Sequence, residues 1–308
     1  MLRIDLYAEK ALMLRLRKKL AARAPVWGYL LLWVVGGCAT VPAAAPGSCP
    51  RAAAAADERL LATLWQQTSA EYRVLARSIY THAKSQLEQA LEDKQWTAEP
   101  SQKQRKDFAA LPPAVILDID ETVLDTSSFQ AHLIESCADF SEPLWQGWIR
   151  RQGFPPVPGA VDFVAFAQAR GVTVFFVTGR DHAVEPETRA NLRAAGIGLP
   201  ERPDTVLTRG EMEDWGVDKT SRRRFIARGY RILLVIGDDL GDFISEYRDT
   251  PRRRIAAALK QEEWGTKWLV LPNAIYGSWV GSLYGFDSGA GKEEISRRKL
   301  EWLSATLR

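Results

Sequence analysis

The sequence predicts an α/β protein with a Rossmann-like parallel sheet flanked by helices and preceded by an export segment. Three observations predict it: short apolar runs alternate with helical patterns, three of these runs end in polar clusters, and a basic stretch followed by an apolar one stands near the amino terminus. With 308 residues, 46% of them hydrophobic and 26% charged, the chain can fold around a sizeable core with a small helical accessory domain.

The net charge of +3 comes from the amino terminus. Residues 1–37 hold seven Lys/Arg and two Asp/Glu, which leaves a net charge of −2 on residues 38–308. A nearly neutral body offers no basic field for a nucleic-acid polymer. We interpret the local basic runs RRRFIARGYR and PRRR as solvated faces or ends of helices.

Residues 1–37 have the layout of a signal peptide: a basic stretch after Met13, the expected start of translation, then an apolar run over residues 26–35. That run is too short for an ordinary membrane-spanning helix. Cys38 follows two glycines, so that VGGC resembles the lipobox of bacterial lipoproteins, in which the cysteine is acylated, although it departs from the commonest form of that motif. The alternative is a plain signal peptide or signal anchor. We therefore expect an exported outer-membrane lipoprotein that faces the periplasm or the cell surface.

The Ala/Pro-rich residues 38–56 predict a flexible tether. It contains Cys49, which can pair with Cys137 in an oxidising compartment, but two cysteines so far apart in sequence are weak evidence for a disulfide. Apolar residues at helical spacing over 57–91 predict one or two amphipathic helices. Residues 93–110 are polar and loop-like or weakly helical, so that 57–110 forms an N-terminal helical segment.

Residues 111–308 carry the predicted sheet. Helical patterns cover 160–170 and 185–195, and a further helix stops at Gly229. Strands that are apolar throughout and separated by helices indicate a parallel sheet covered on both faces. The predicted strands are 114–120, 172–180, 205–210, 231–239 and 267–272.

Three strands end in polar clusters, which contain Asp118 and Asp120, Thr178 and Arg180, and Asp238 and Asp239. Ligands of open parallel sheets bind beyond the carboxyl ends of the strands, where adjacent clusters meet. Five carboxylates in a small space stay ionised only around a cation, and hard oxygen ligands suit Mg²⁺. The five belong to Asp118, Asp120, Asp238, Asp239 and Asp242.

The motifs DIDET, FFVTGR, DKTSRRRF and GDDLGDF, in this order, resemble those of haloacid-dehalogenase-superfamily phosphatases, specifically the bacterial class C nonspecific acid phosphatases of the lipoprotein e(P4) type. The stretches WQQTSAEYRVLARSIY, VPGAVDF and LPNAIYGSWVGSLYG are also similar to family segments. The resemblance covers nearly everything after the signal. It implies a HAD-type fold, a Mg²⁺ cofactor and hydrolysis of small phosphomonoesters such as nucleoside 5′-monophosphates and aryl phosphates. Relatives suggest a homodimer.

Physical argument and resemblance agree on the catalytic roles. Asp118 at a strand end can attack phosphorus and form an aspartyl-phosphate, and Asp120 is the natural general acid and then base. Thr178 offers a hydroxyl to a phosphoryl oxygen, and Lys219 offers a compact positive charge. Because the acid must hold a proton while the nucleophile does not, we expect an acidic pH optimum.

The resemblance also assigns the metal site. It implies that Asp118, the backbone carbonyl of Asp120 and the carboxylate of Asp238 bind the metal. Asp242 would support them through water or Lys219. Asp239 stands where many relatives have Asn, and it either supports the metal ligands or faces solvent.

Substrate contacts are expected from Thr178, Gly179, Arg180 and Lys219, and from Trp148 and Tyr276 through stacking on an aromatic ring. Trp145, Trp279 and Phe129 are further aromatic candidates, and packing in the core is the alternative for this class of residue. His182 is expected on the surface. Two other functions stay open: a surface lipoprotein that binds haem or a nucleotide without turnover, and phosphotransfer to an alcohol.

Overall fold

The computed structural model describes residues 49–151 and 153–305. The predicted signal peptide and the predicted lipidation of Cys38 concern residues outside these ranges. In the described part, the chain forms five strands and eleven α-helices. The strands are β1 Pro113–Leu117, β2 Thr173–Asp181, β3 Val206–Arg209, β4 Arg231–Gly237 and β5 Trp268–Val270. The helices are α1 Arg51–Ala55, α2 Leu60–Thr68, α3 Ala70–Glu92, α4 Ser127–Glu135, α5 Glu142–Ile149, α6 Ala160–Gln168, α7 Glu185–Ala194, α8 Thr220–Gly229, α9 Pro251–Leu259, α10 Ser278–Leu283 and α11 Lys292–Ala305.

The sheet is parallel throughout, with the strand order β3-β2-β1-β4-β5. Both faces of the central strand are buried: Val115 and Leu117 pack into one core cluster, and Ala114 and Ile116 pack into the other. This explains why β1 is apolar at every position instead of alternating. The predicted parallel sheet flanked by helices is confirmed, and all five predicted strands are present.

Helix α3 belongs to the main core. Ser69 caps its amino terminus by accepting a hydrogen bond from the N–H of Tyr72 at 3.1 Å. Its buried face packs with strands and with α6 in one cluster, and the hydroxyl of Tyr80 donates to the carbonyl of Thr122 at 2.7 Å. Helix α3 of the predicted N-terminal helical segment therefore packs on the sheet as part of the main core.

We interpreted the two basic runs as solvated faces or ends of helices, and this is wrong for four of their arginines. Arg222, Arg223, Arg231 and Arg254 are buried. Their guanidinium groups donate to backbone carbonyls, as Arg231 does to Asp93 at 2.6 Å. A long side chain that starts on a helix or strand can reach loop carbonyls inside the protein, and periodicity alone does not reveal this.

No helix in 49–151 or 153–305 is long and apolar enough to cross a membrane. The part of the predicted tether that the structure describes holds helix α1 and Cys49. Cys49 forms a disulfide with Cys137, across 88 positions of sequence, which settles the pairing that the sequence left open.

This disulfide leads to a stability prediction. We expect Cys49→Ser and Cys137→Ser each to lower the free energy of unfolding by about 2–5 kcal/mol, because the crosslink restricts the unfolded chain. The measurement is urea denaturation without reductant, and the double variant should lose no more than either single variant. Reductant should bring the wild type to the level of the variants; a wild type whose urea midpoint ignores reductant contradicts the prediction.

Candidate active site

The carboxyl ends of β2, β1 and β4, which are neighbours in the sheet, open into one cleft of about 560 Å³. The sequence-predicted side chains that line it include Asp118, Asp120, Arg180, Lys219 and Asp238. Strand order explains the convergence: β1 is central, so that the polar cluster after β1 meets those after both neighbouring strands. The structure thus brings together residues up to 120 positions apart in sequence.

Lys219 is the central cation of the cleft. It stands directly before α8, and its ammonium group forms ion pairs with the carboxylate of Asp118 and with Asp242 Oδ1, the latter at 2.6 Å. Burial opposes the charged form of Lys219, but the two carboxylates outweigh burial and raise the pKa of the ammonium group. Lys219 is therefore held as a cation beside the predicted nucleophile.

Three carboxylates form a cluster suited to a metal ion. Asp118, Asp238 and Asp242 each offer one oxygen, and these oxygens lie within 4.8 Å of one another. Asp238 is fixed by hydrogen bonds from Thr122 Oγ1 and Asn273 Nδ2, both at 2.9 Å. All the donors are hard oxygens, which fits a divalent cation such as Mg²⁺. Asp242, which we expected to act at one remove, stands in the cluster itself.

Burial and neighbouring like charges disfavour ionisation in this cluster. They raise the pKa of Asp118 to about 7, against the lowering effect of Lys219, and they raise the pKa of Asp238 well above its ordinary value. One lysine therefore does not balance the cluster, and a divalent cation would supply the missing charge.

Asp120 lies outside this cluster and forms an ion pair with Arg180. Arg180 donates to it from Nη2 at 2.6 Å and from Nε at 3.1 Å. Thr178, two positions earlier on β2, is buried, and its hydroxyl accepts a hydrogen bond from the N–H of Arg180 at 3.1 Å. Gly179 lines the cleft between them. The three predicted residues of β2 thus differ in access: Gly179 is exposed, and Thr178 and Arg180 are both buried, with Arg180 lining the cleft together with Gly179.

The loop after β4 is built around two aspartates. Asp242 Oδ2 accepts the N–H groups of Asp238 and Asp239 at 3.1 and 3.0 Å, and a side chain at Gly237 would overlap its carboxylate. Asp239 accepts hydrogen bonds from the N–H and hydroxyl of Ser278, both at 2.6 Å. Asp239 therefore fastens this loop to helix α10, which answers the question that the sequence left open about its contacts.

The aromatic candidates separate into two groups. Phe129, Trp145 and Tyr276 line the cleft. Trp148 instead stacks on His132, with ring centroids 4.7 Å apart, and the exposed Trp279 donates to the carbonyl of Tyr276 at 3.1 Å. The cleft thus has an aromatic wall from α4, α5 and the loop before α10, and Trp145 holds the position that we expected for Trp148.

Glu121 is a buried residue of the site to which the sequence analysis gave no role. It accepts hydrogen bonds from the N–H of Thr126 at 2.9 Å, from Gln66 at 3.3 Å and from the hydroxyl of Tyr276. Burial raises the pKa of its carboxyl to about 8. Glu121 joins α2, the loop after β1 and the aromatic wall. The sequence did contain a signal for Glu121, because it is the third carboxylate, after Asp118 and Asp120, at the end of an apolar strand.

Arg222 and Arg223 were also missed, although they follow Lys219 closely. Arg222 donates to the carbonyl of Thr178 at 2.5 Å, and Arg223 donates to the carbonyl of Asp242 at 2.8 Å. One turn of α8 therefore fixes the backbone at the end of β2 and in the loop after β4. The sequence shows these residues only as a basic run, which gives no information about their partners.

His182 is half exposed, as expected, but it has partners. Its Nδ1 lies 2.8 Å from Glu185 and 3.2 Å from the hydroxyl of Thr208. Glu211 accepts a hydrogen bond from the N–H of Thr208 at 3.0 Å and lies in the same cluster as His182 and Glu185.

The raised pKa of Asp118 gives a pH prediction. The folded protein holds this proton up to about pH 7, whereas the unfolded chain releases it near 3.8, so the metal-free protein should lose stability as the pH rises between these values. Mg²⁺ should therefore raise the melting temperature more at about pH 7.5 than at about pH 5. Thermal denaturation with chelator and with Mg²⁺ measures this.

Asp118→Asn is the control for this pH prediction. The variant cannot take up that proton, so its melting temperature should depend less on pH than that of the wild type. A metal-free wild type that becomes more stable from pH 5 to pH 7.5, relative to Asp118→Asn, would refute the argument.

Comparison with known proteins agrees with this geometry. The family described as HAD superfamily, subfamily IIIB (acid phosphatase) matches residues 48–279. The structure is similar to that of the class C acid phosphatase from Bacillus anthracis, with 26% identity, a TM-score of 0.67 and coverage of 79% of this chain and 95% of that one. A second crystal structure of that enzyme, with tungstate bound, gives 27% identity and a TM-score of 0.68 over the same shares.

Two plant proteins are similar in sequence. The stem 31 kDa glycoprotein of Glycine max is 25% identical over 141 residues, which is 44% of this chain and 54% of that protein. The stem 28 kDa glycoprotein is 24% identical over 142 residues, or 44% and 55%. The chain thus spans about half the length of the curated relatives that it matches. Because the family match covers well over half of the chain, the chain belongs to subfamily IIIB of the haloacid dehalogenase superfamily, the acid phosphatases.

Proposed function

We propose that this protein is a Mg²⁺-dependent acid phosphatase that hydrolyses nucleoside 5′-monophosphates and aryl phosphates through an aspartyl-phosphate. One observation carries the proposal: Asp118, Lys219, Asp238 and Asp242 share a single buried cluster at the carboxyl ends of adjacent strands. A carboxylate nucleophile, a fixed cation and metal-binding oxygens are the parts that phosphoryl transfer needs.

The residues fit the metal. Asp118, Asp238 and Asp242 would hold it, with the backbone carbonyl of Asp120 as a further ligand that the family resemblance suggests. When bound, the cation lowers the pKa of Asp118 and offsets phosphate charge. This matters for an acid phosphatase, because Asp118 must be ionised at a pH at which burial would otherwise keep it protonated.

The proposed reaction has two steps. An oxygen of Asp118 attacks phosphorus, the bond from phosphorus to the leaving oxygen breaks, and the proton of Asp120 passes to that oxygen. Water then gives a proton to the Asp120 carboxylate and attacks the phosphorus of the aspartyl-phosphate. The bond to Asp118 breaks, phosphate leaves, and both aspartates return to their starting states. Lys219 balances the charge on Asp118 and on the phosphoryl group throughout.

The cleft wall supports the proposed substrate class. Trp145 and Tyr276 place aromatic rings on the cleft beside the acidic cluster, and a nucleobase or a phenyl ring is a suitable partner for them. Phe129 is buried against Trp145, with ring centroids 4.9 Å apart, and supports it. Tungstate, which is bound in one similar structure, is a tetrahedral oxyanion like phosphate.

We also propose that the protein is exported. The disulfide between Cys49 and Cys137 supports this, because such bonds persist in oxidising compartments. Lipidation of Cys38, an outer-membrane location and dimerisation stay predictions. Mass spectrometry of the mature amino terminus tests the first, and an unlipidated terminus would contradict it.

Phosphate release from a panel of phosphomonoesters, with Mg²⁺ and with a chelator, tests the function. We expect nucleoside 5′-monophosphates and aryl phosphates to be turned over at acidic pH, and only with metal. An identical preparation of Asp118→Asn shows how much activity comes from contaminating phosphatases. Turnover that survives complete removal of divalent cations would be incompatible with the proposal.

A further inference from the structure

We infer that Arg180 is a positioning residue that acts through Asp120: it directs the proton of the general acid into the cleft and thereby determines how well poor leaving groups are expelled. The inference rests on the proposed function and goes beyond the substrate contact that the sequence suggested for Arg180. Three features of the structure support it.

The first feature is the pairing geometry. Nη2 of Arg180 donates to Asp120 Oδ1 at 2.6 Å, and Nε lies 3.1 Å from both carboxylate oxygens. The Arg180 side chain is fully buried, whereas 17% of the Asp120 side chain is exposed. A fixed planar guanidinium therefore sets the orientation of a carboxyl group that the substrate can still reach.

The second feature is what holds the guanidinium. Its central carbon lies 5.4 Å from the ring centroid of Trp145 and 5.2 Å from that of Phe154. The third nitrogen, Nη1, is buried and has no hydrogen-bond partner. By contrast, the buried Arg222 and Arg231 donate to backbone carbonyls. The hydrogen bonds of Arg180 are thus directed to Asp120, and aromatic faces hold the rest of the group.

The third feature is the chemistry of the pair. A guanidinium has N–H donors and no acceptor, so that a protonated Asp120 cannot point its O–H toward Arg180. The O–H must face the other way, toward the open cleft. The proton passes to the leaving oxygen as the bond from that oxygen to phosphorus breaks, and Asp120 becomes a carboxylate. The N–H groups of Arg180, already in place, stabilise this negative charge. Arg180 therefore favours proton donation without touching the substrate.

Leaving-group dependence separates this role from phosphate binding. Every substrate carries the same phosphate, but p-nitrophenolate leaves readily and an alkoxide needs a proton. For Arg180→Gln we expect kcat/KM for glycerol phosphate to fall at least about 30-fold more than kcat/KM for p-nitrophenyl phosphate, since general acids contribute about 10²–10⁴-fold. The ratio kcat/KM is the right quantity because it covers phosphorylation of Asp118 and not the later hydrolysis. Inhibition by orthophosphate should change less than about threefold.

Two further variants sharpen the test. We call kcat/KM for glycerol phosphate divided by kcat/KM for p-nitrophenyl phosphate the alkyl-to-aryl ratio. Arg180→Lys keeps the positive charge but loses the planar set of N–H donors, so this ratio should fall by an intermediate factor. Arg170→Gln is the matched control: Arg170 also pairs with a carboxylate, Glu88 at 2.9 Å, and covers a ring, Phe166 at 3.4 Å, but it precedes β2 at the other end of the sheet. Its alkyl-to-aryl ratio should equal that of the wild type.

A double-variant cycle completes the experiment. If Arg180 acts through Asp120, adding Arg180→Gln to Asp120→Asn should cause no further loss on glycerol phosphate. Equal losses on both substrates together with weaker orthophosphate inhibition would overturn the inference and identify a phosphate contact, and so would additive losses in the cycle. An inactive Asp118→Asn with an unchanged alkyl-to-aryl ratio in Arg180→Gln defeats only this inference, whereas an active Asp118→Asn defeats the proposed function.

Discussion

Asp118→Asn should reduce turnover of every phosphomonoester by at least about 10⁴-fold, because an amide at this position cannot attack phosphorus. The fold should survive. Burial and the charge of Asp242 disfavour ionisation of Asp118, so an uncharged amide at this position removes repulsion inside the cluster. Lys219 keeps its ion pair with Asp242. The measurement is steady-state phosphate release at saturating Mg²⁺, with the melting temperature measured on the same preparation.

Asp162→Asn is a suitable control, since Asp162 is exposed on α6, away from the cleft. It should keep wild-type turnover. An Asp118→Asn protein that retains more than about one hundredth of wild-type turnover would show that another group attacks phosphorus. Trapping the phosphoenzyme by acid quench should label the wild type and not the variant.

Asp238→Asn should produce the second large effect. We expect turnover to fall at least about 100-fold and the Mg²⁺ concentration for half-maximal activity to rise at least about 10-fold, because a charged oxygen ligand becomes a neutral one. Thr122 and Asn273 fix the carboxylate of Asp238 in place, so the substitution changes charge more than position. Phosphate release titrated against Mg²⁺ measures both quantities.

Asp239→Asn provides a closely matched comparison, since it removes one negative charge from the adjacent position. Asp239 holds Ser278 of α10 and does not belong to the cluster of Asp118, Asp238 and Asp242. The Mg²⁺ concentration that Asp239→Asn needs for half-maximal activity should stay within about threefold of the wild-type value. The effect of this substitution should instead be a lower melting temperature, because a structural contact is weakened. If both variants shift the Mg²⁺ requirement equally, the effect is one of net charge, and the metal site must be assigned differently.

The fold and the position of the site could be predicted from the sequence. Each strand contains an unbroken apolar run because helices cover both faces of the sheet, and that pattern is local. The polar clusters stand where the apolar runs stop, so the pattern of residues alone places Asp118, Asp120 and Asp238 at strand ends. Several helices, including α4, α5 and α9, were not predicted, because a helix of eight or nine residues has too few turns to show a clear helical period.

The sequence by itself determined that the charged residues of the candidate site lie at the carboxyl edge of a parallel sheet, since the apolar run of a strand and the polar residues that end it are consecutive in the chain. Only the tertiary structure decided which groups meet: Arg180 pairs with Asp120, and Lys219 pairs with Asp118 and Asp242. Arg222 and Arg223 donate to the backbone carbonyls of Thr178 and Asp242, and Trp145 lines the cleft where we expected Trp148. The physical reason is that a polar partner is chosen by distance in space, and these partners, 19 to 101 positions apart in sequence, come within hydrogen-bond distance only when the sheet has assembled.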